Sequence, residues 1–177
     1  ALTELASWGG VTDIGYAVFY GCRSMVADAT ELSQVTNFGA TAFLSVQKLT
    51  GAIQINPAVR SIPNSLFQDV DNVPIVEIPP SVTSVGSQVF AWADALKGVV
   101  IAGADSGTTT VSGEGLFRNT GNIKVFVLGK NTKAGTIGTY KFFSSAKSCT
   151  VFAPEDKGFT DSNLFYVSGS KLVTYGD

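Results

Sequence analysis

A phenylalanine returns at nearly constant spacing along most of this 177-residue chain. Consecutive members are 23 to 27 residues apart, and there are six: Phe19, Phe43, Phe67, Phe90, Phe117 and Phe143. The pattern has five positions: the phenylalanine itself and aliphatic residues five residues before it and six, nine and eleven residues after it. Residues 62–78 and 85–101 match at all five positions. Such repetition predicts a stack of similar turns, because each unit covers the apolar side of its neighbour.

The other copies depart from this pattern in recognisable ways. Ser112 stands where the fifth copy should begin with an aliphatic residue, and in the second copy Ile53 and Ile55 come one residue late. The first copy loses its second half after Met25, and Pro154 replaces the last aliphatic residue of the sixth. Degenerate copies are expected at the ends of a repeat stack, where the apolar core must be closed off.

The repeats define one solenoid over residues 1–177, without a linker that would divide it. We predict a degenerate N-terminal repeat or cap at residues 1–34, regular repeats at 35–128, and a degenerate repeat with a C-terminal cap at 129–177. A truncated seventh turn in the cap is indicated by Tyr166, Leu172 and Tyr175, which keep the six- and three-residue steps.

The second half of each unit predicts a β-strand, because it alternates in polarity and is rich in β-branched residues. Equivalent strands should pair in parallel. The first half is too short for a full helix and predicts a turn with a 3₁₀ or short helical segment. We therefore predict a β-rich repeat solenoid of the α/β leucine-rich-repeat class, with about six repeats, a parallel strand ladder on one face and short turns or helical segments on the other. The six phenylalanines should stack inside as a column.

Composition agrees with a folded module and excludes several classes of partner. Hydrophobic residues make up 45% of the chain and charged residues 15%, which supplies a core. The net charge of −2 without a basic run argues against a nucleic-acid partner. The longest apolar runs, such as "GVVIAGA", fall far short of the roughly 20 residues that cross a bilayer, so no membrane insertion is expected.

Few residues suit catalysis or metal binding. The chain has no histidine, which removes the commonest general base and a frequent metal ligand. The loops "GKNTK" and "GADSG" lack the phosphate-binding pattern, and acidic pairs such as Asp69 and Asp71 lie outside any EF-hand-like loop. We predict a protein that is not an enzyme and has no cofactor, no metal and no catalytic residues.

The two cysteines lie far apart in the predicted stack. Cys22 belongs to the first repeat and Cys149 to the sixth, so five steps of about 4.8 Å separate them. A disulfide needs Cα atoms within about 7 Å, which rules out a bond between them in one chain. We expect both to be buried as small apolar residues. For Trp8 and Trp92, the alternatives are burial, which we favour for Trp92, and stacking on a sugar or a protein partner.

The outward face of the strand ladder is the candidate partner-binding surface. If the residues six, nine and eleven after each phenylalanine point inward, those between them point outward: Ile75, Glu77, Gly98, Val100, Val125, Val127, Val151 and Ala153. An exposed apolar patch of this kind usually marks an interaction site. The alternative is that a neighbouring domain, a second copy or a flanking loop covers it.

The segment "EIPPSVTSVGSQVFAWADALKGVVI" resembles the BspA-like leucine-rich repeats, whose units read I-P-x-x-V-x-x-I-G-x-x-A-F-x-x-C-x-x-L-x-x-I-x-I. It matches at Ile78, Pro79, Val82, Val85, Gly86, Phe90, Leu96, Val99 and Ile101. The resemblance implies a secreted or surface-displayed protein, often of host-associated bacteria, that acts in adhesion and binds host proteins or other cells.

We therefore expect a non-enzymatic, extracellular or cell-surface module that binds a protein of a host or neighbouring cell, or a second copy of itself, through its strand face. One alternative is a structural spacer of a larger surface protein. A more distant one is a β-helical enzyme acting on polysaccharide, but the strands offer only Glu77, Lys97 and Lys124 for catalysis. The start "ALTELASWGG" has no basic region or apolar core, so we expect any signal peptide to be absent from this chain.

Overall fold

A computed structural model of the chain describes residues 2–112, 114–136, 138–144, 148–165 and 169–176. The chain winds as a parallel β-solenoid, which confirms the predicted fold class. Each regular turn contains a short strand, a tight turn segment that carries the repeated phenylalanine, and a longer strand. All three parts contribute apolar side chains to one continuous core.

Short strands dominate the first part of the described chain and longer ones the second. In chain order they are β1 (Asp13–Ile14), β2 (Ala27–Asp28), β3 (Asn37–Phe38), β4 (Leu49–Thr50), β5 (Ile53–Gln54), β6 (Ser61–Ile62), β7 (Ile75–Ile78), β8 (Ser84–Val85), β9 (Gly98–Ile101), β10 (Thr109–Val111), β11 (Val125–Leu128), β12 (Thr132–Ala134), β13 (Thr150–Pro154) and β14 (Lys171–Tyr175). A 3₁₀ helix spans Ala29–Gln34, and one α-helical turn, α1, spans Asp161–Leu164.

The strands form two main parallel sheets on different sides of the solenoid. The longer strands build a six-stranded sheet in the order β14-β13-β11-β9-β7-β5. The short strands build a four-stranded sheet in the order β12-β10-β8-β6. Only the first ladder was predicted. The second was missed because its strands have two or three residues each, too few for an alternating pattern to show.

Strand pairing explains two of the irregular copies. Ile53 pairs with Val76, so the second copy contains one extra residue before its strand, as the sequence indicated. In the fifth copy it is Val111, and not Ser112, that pairs with Val85. The leading aliphatic residue is therefore present, and the extra residue lies between it and the phenylalanine. Both insertions fall in the connections, where they leave the ladders intact.

The six repeated phenylalanines stack face to face through the core. Successive ring centroids are 4.7 to 6.3 Å apart with interplanar angles of 10° to 23°. Five of the rings are at most 1% exposed, whereas Phe19 at the N-terminal end is half-buried. Hydrogen bonds between turns hold the column; the N–H groups of Phe43, Phe67 and Phe90 donate to carbonyl oxygens of the next turn at 3.0 to 3.1 Å.

Additional aromatic residues extend this column at both ends. Trp8 packs edge-on against Phe19 and Phe43, at centroid distances of 5.4 and 5.6 Å, and its indole N–H donates to the Asp28 carbonyl oxygen at 2.8 Å. At the other end Phe165 stacks on Phe143 at 5.5 Å. Phe165 therefore takes the place predicted for its neighbour in the seventh turn, Tyr166, which lies outside the described residues.

The backbone around each of the first five repeated phenylalanines is left-handed at two places. Residues two positions before it have φ between 54° and 60° in the first five repeats: Ala17, Thr41, Ser65, Gln88 and Gly115. Residues two positions after it have φ between 57° and 73°: Gly21, Ser45, Asp69, Trp92 and Asn119. The two left-handed residues on either side of a phenylalanine turn the chain sharply and direct the ring inward. Most of the second set are glycine, serine, aspartate or asparagine, which suit this conformation, and Trp92 is the exception.

The first repeat replaces its longer strand by the 3₁₀ helix at Ala29–Gln34. The Asp28 carboxylate caps this helix by accepting hydrogen bonds from the Thr30 backbone N–H at 2.9 Å and the Thr30 hydroxyl at 2.8 Å. These bonds, the backbone one first, hold the pKa of Asp28 below its usual value. The helix explains why the strand pattern disappears after Met25.

We expect Phe90→Ala to lower the free energy of unfolding by about 3 to 5 kcal/mol, because it leaves a cavity between two stacked rings. Urea unfolding followed by circular dichroism measures the loss. Tyr16→Ala is the matched control, since Tyr16 is 76% exposed and its removal should change stability by less than about 0.5 kcal/mol. Equal effects of the two substitutions would contradict the role of the column.

Candidate functional site

The strand face is the outward side of the six-stranded sheet. Its side chains form two columns whose members lie on neighbouring strands, about 4.8 Å apart. The first column consists of Ile75, Gly98, Val125, Thr150 and Lys171. The second consists of Gln54, Glu77, Val100, Val127, Phe152 and Val173.

Apolar side chains occupy the middle of this face. Ile75, Val100, Val125 and Phe152 are 45%, 38%, 40% and 37% exposed. In the second column an unbroken apolar run covers four neighbouring strands, from Val100 to Val173. The charged members lie toward the ends, Glu77 on β7 and Lys171 on β14.

Two residues predicted to point outward are instead in the core. Val151 and Ala153 are both 0% exposed, since Val151 pairs with the inward-facing Phe126 and Phe152 pairs with Val127. The sixth repeat has one residue fewer between Cys149 and its strand than the regular repeats. A one-residue shift reverses every side chain of a strand.

The outward members of these last two strands were therefore missed by the sequence analysis: Thr150, Phe152, Lys171 and Val173. A signal for the shift was present in the sequence. Pro154 stands where the pattern requires the last aliphatic residue, and moving the alignment by one residue would have placed Val151 and Ala153 inward.

Gly98 opens a notch in the first column between Ile75 and Val125. An added Cβ would have the Val125 carbonyl oxygen at 3.8 Å as its only neighbour, an ordinary contact, and Gly98 is not among the left-handed glycines. The fold thus requires no glycine here, in contrast to Gly86, where a Cβ would lie 2.8 Å from the Asn64 backbone nitrogen. Glycine inside a strand often marks close approach by another molecule.

A cavity of about 440 Å³ borders the strand face near the C-terminal ends of β5, β7 and β9. The side chains of Gln54, Glu77 and Val100 line it from the sheet, and Pro57 and Pro79 line it from the following corners. The two prolines make the corners rigid, because each ring restricts φ of its own residue. The cavity therefore continues the apolar face around one edge.

The cysteines are free thiols, as the repeat spacing predicted. Cys149 is 3% exposed, and burial raises the pKa of its thiol to about 12. Cys22 is only half-buried, so the expectation of full burial is wrong for it.

Within the described ranges, no group of three or more His, Cys, Asp or Glu side chains is arranged to hold a metal ion. Among those same residues no helix has the length and apolar character to span a membrane.

We expect iodoacetamide at about pH 8 to modify Cys22 in the folded protein and Cys149 only after unfolding, because alkylation requires an accessible thiolate. Mass spectrometry of tryptic peptides, before and after addition of urea, measures both sites in one sample. Rapid labelling of Cys149 in the folded protein would contradict its burial.

The stacked turns, the inward phenylalanine column and the parallel ladder define a leucine-rich-repeat solenoid with an apolar sheet surface. Six copies of the BspA type leucine rich repeat region match residues 12–150. The chain belongs to this family, which confirms the resemblance drawn from residues 77–101.

Two solved structures are similar to the chain. One is a leucine-rich repeat protein from Bacteroides ovatus ATCC 8483, with a TM-score of 0.34 and 15% identity, covering 94% of this chain and 67% of that one. The other is a leucine rich cell surface protein from Faecalibacterium prausnitzii A2-165, with a TM-score of 0.29 and 11% identity, covering 94% of this chain and 77% of that one. No curated protein matches the chain significantly.

Proposed function

We propose that this chain is a non-enzymatic binding module of a cell-surface or secreted protein, and that it contacts a surface protein of a host or neighbouring cell through the strand face. The observation that carries the proposal is the run of outward apolar side chains across four neighbouring strands: Val100, Val127, Phe152 and Val173. Membership in the BspA-type family supports both the location and the kind of partner.

The distribution of charge on the strand face suits a protein interface. The cores of such interfaces are depleted in charged residues, and the rims are polar. Here the central strands β9 and β11 present apolar residues and Gly98. Lys97 and Lys124 are exposed immediately before these two strands. The apolar centre would exclude water, and the lysines would lie at the rim.

Rigidity of the sheet favours binding as well. In this sheet β7, β9, β11 and β13 are each paired on both sides, so their backbone is already ordered before a partner arrives. Little conformational entropy is then lost on association. The notch at Gly98 gives the partner a place for one apolar side chain, which would contact the sheet backbone and the side chains of Ile75 and Val125.

We expect Val100→Asp/Val127→Asp to weaken binding to the partner by at least about tenfold, because two carboxylates would be buried without counter-charges. A photo-crosslinking residue at Phe152 captures the partner from surface-protein extracts, and titration of the purified partner measures the affinity. The control is Val11→Asp/Val18→Asp, the same change at valines that are 41% and 54% exposed and outside the face. Wild-type affinity of the first double variant would contradict the proposal.

Light scattering over a concentration series distinguishes a foreign partner from a second copy of this chain. The proposal expects a monomer at all concentrations. A dimer that Val100→Asp/Val127→Asp abolishes would assign the face to self-association. A monomer whose face captures no protein would instead favour the spacer function.

Gly98→Ala should separate binding from folding. The new methyl group meets no close neighbour, so we expect stability to be unchanged or raised by up to about 1 kcal/mol, as for other glycines inside strands. Affinity for the partner should fall, and Gly98→Leu should lower it further by filling the notch. If both variants bind as the wild type does, the notch is outside the interface.

A further inference from the structure

Trp92 adopts a backbone conformation that its side chain disfavours. It occupies the position two residues after the stacked phenylalanine, with φ of 58°. The first three repeats and the fifth place Gly21, Ser45, Asp69 and Asn119 there. A bulky residue in the left-handed region is an outlier, and such outliers concentrate at functional sites. The contacts of the indole ring are therefore of interest.

The indole ring helps to hold an arginine. The Arg118 guanidinium carbon lies 4.9 Å from the centroid of the Trp92 ring and 3.7 Å from that of the Tyr140 ring. Backbone hydrogen bonds connect the three successive turns that carry them. The Trp92 N–H donates to the Arg118 carbonyl oxygen at 2.7 Å, and the Gly115 N–H donates to the Tyr140 carbonyl oxygen at 2.8 Å. The guanidinium is thus held by two aromatic rings on a rigid backbone.

The Arg118 guanidinium has no polar partner among the described residues. No carboxylate oxygen lies within 4.0 Å of its nitrogens, and it donates no hydrogen bond in that part of the chain. Glu114, on the same turn, accepts from the Tyr140 backbone N–H at 3.5 Å instead. A guanidinium that lies over aromatic rings keeps its N–H donors free for another acceptor. Arg118 is also half-exposed, so a ligand can reach it.

We propose that Arg118, positioned by Trp92 and Tyr140, binds the carboxylate of an aspartate or glutamate side chain from an acidic peptide segment. The planar guanidinium matches a carboxylate in a two-point hydrogen-bonded pair. Both rings already contact the guanidinium, which leaves them less available to stack on a sugar. This site lies on the turn side of the solenoid and is separate from the strand face.

Neighbouring charges restrict how an acidic segment approaches. Asp69, Asp71 and Asp94 lie together beside the preceding turns, where burial and the other two carboxylates raise the pKa of Asp71. They repel an acidic peptide from the Trp92 side. Lys141 follows Tyr140 in sequence, and its ammonium group donates to the Phe165 carbonyl oxygen at 3.2 Å. Glu114 adds a negative charge on the Tyr140 side, where its carboxylate accepts from the Tyr140 backbone N–H, so the peptide should present one carboxylate to the exposed part of Arg118 with its other acidic groups directed away from both sides.

The test uses the folded chain and a synthetic glutamate-rich peptide, with the same peptide carrying glutamine as the neutral control. The Arg118 Nε–H resonance, assigned by its loss in Arg118→Lys, reports binding in a nuclear magnetic resonance titration. We expect it to shift with the glutamate peptide alone. Backbone amide resonances, followed in the wild-type chain and in Arg118→Lys, give the peptide affinity of each protein. Arg118→Lys should weaken binding at least about tenfold, because an ammonium group cannot form the two-point pair. Arg60→Lys is the control, since the Arg60 guanidinium donates to the Pro57 carbonyl oxygen and lies elsewhere.

Trp92→Asn tests whether the indole positions the arginine. Asparagine occupies the equivalent place in the next turn, at Asn119, so the backbone conformation should be retained. We expect a folded protein, an altered Arg118 Nε–H shift and weaker peptide binding with the arginine still present. Equal shifts with the two peptides, unchanged affinity of Arg118→Lys, or binding of sodium glucuronate in preference to the glutamate peptide would each overturn the proposal.

Discussion

The stacking of one phenylalanine ring on the next is the interaction on which the rest of this solenoid depends. Each repeated ring is stacked face to face on the equivalent rings of the adjacent turns, at 4.7 to 6.3 Å, so a turn without neighbours would leave both faces of its ring uncovered by this stack. The paired left-handed residues around the first five phenylalanines direct these rings into the column. Both parallel ladders follow from the resulting superposition of the turns, because stacked turns bring equivalent segments together.

The ends of the column show how the protein closes its core. Trp8 covers the first rings edge-on and hydrogen-bonds through its indole nitrogen, which a phenylalanine could not do. Phe165 continues the stack at the other end after α1 has replaced the usual turn. Both ends therefore use an aromatic residue outside the regular pattern, and the repeat spacing alone did not reveal either one.

The periodicity of the sequence was sufficient to predict the solenoid, its parallel ladder of longer strands and the position of every repeated phenylalanine. It located the extra residue of the second copy, but it failed in the fifth copy, where one residue was gained before the phenylalanine, and in the sixth, where one was lost before the strand. The missing residue before β13 placed Val151 and Ala153 in the core and Phe152 on the surface, because side chains alternate along a strand. The contact between Arg118 and two rings could not be predicted either. It joins residues 26 and 22 positions apart whose proximity depends on the exact length of each turn.

The hydrogen bonds between turns have a mechanical consequence. The backbone bonds connect each turn only to the next, and they run roughly along the axis on which the turns are stacked. Tension applied at the two ends of the stack would load the bonds of the terminal turn first and release the turns one after another. Each released turn would add 23 to 27 residues of extended chain. A module of this kind would lengthen in small steps under shear instead of rupturing in one event.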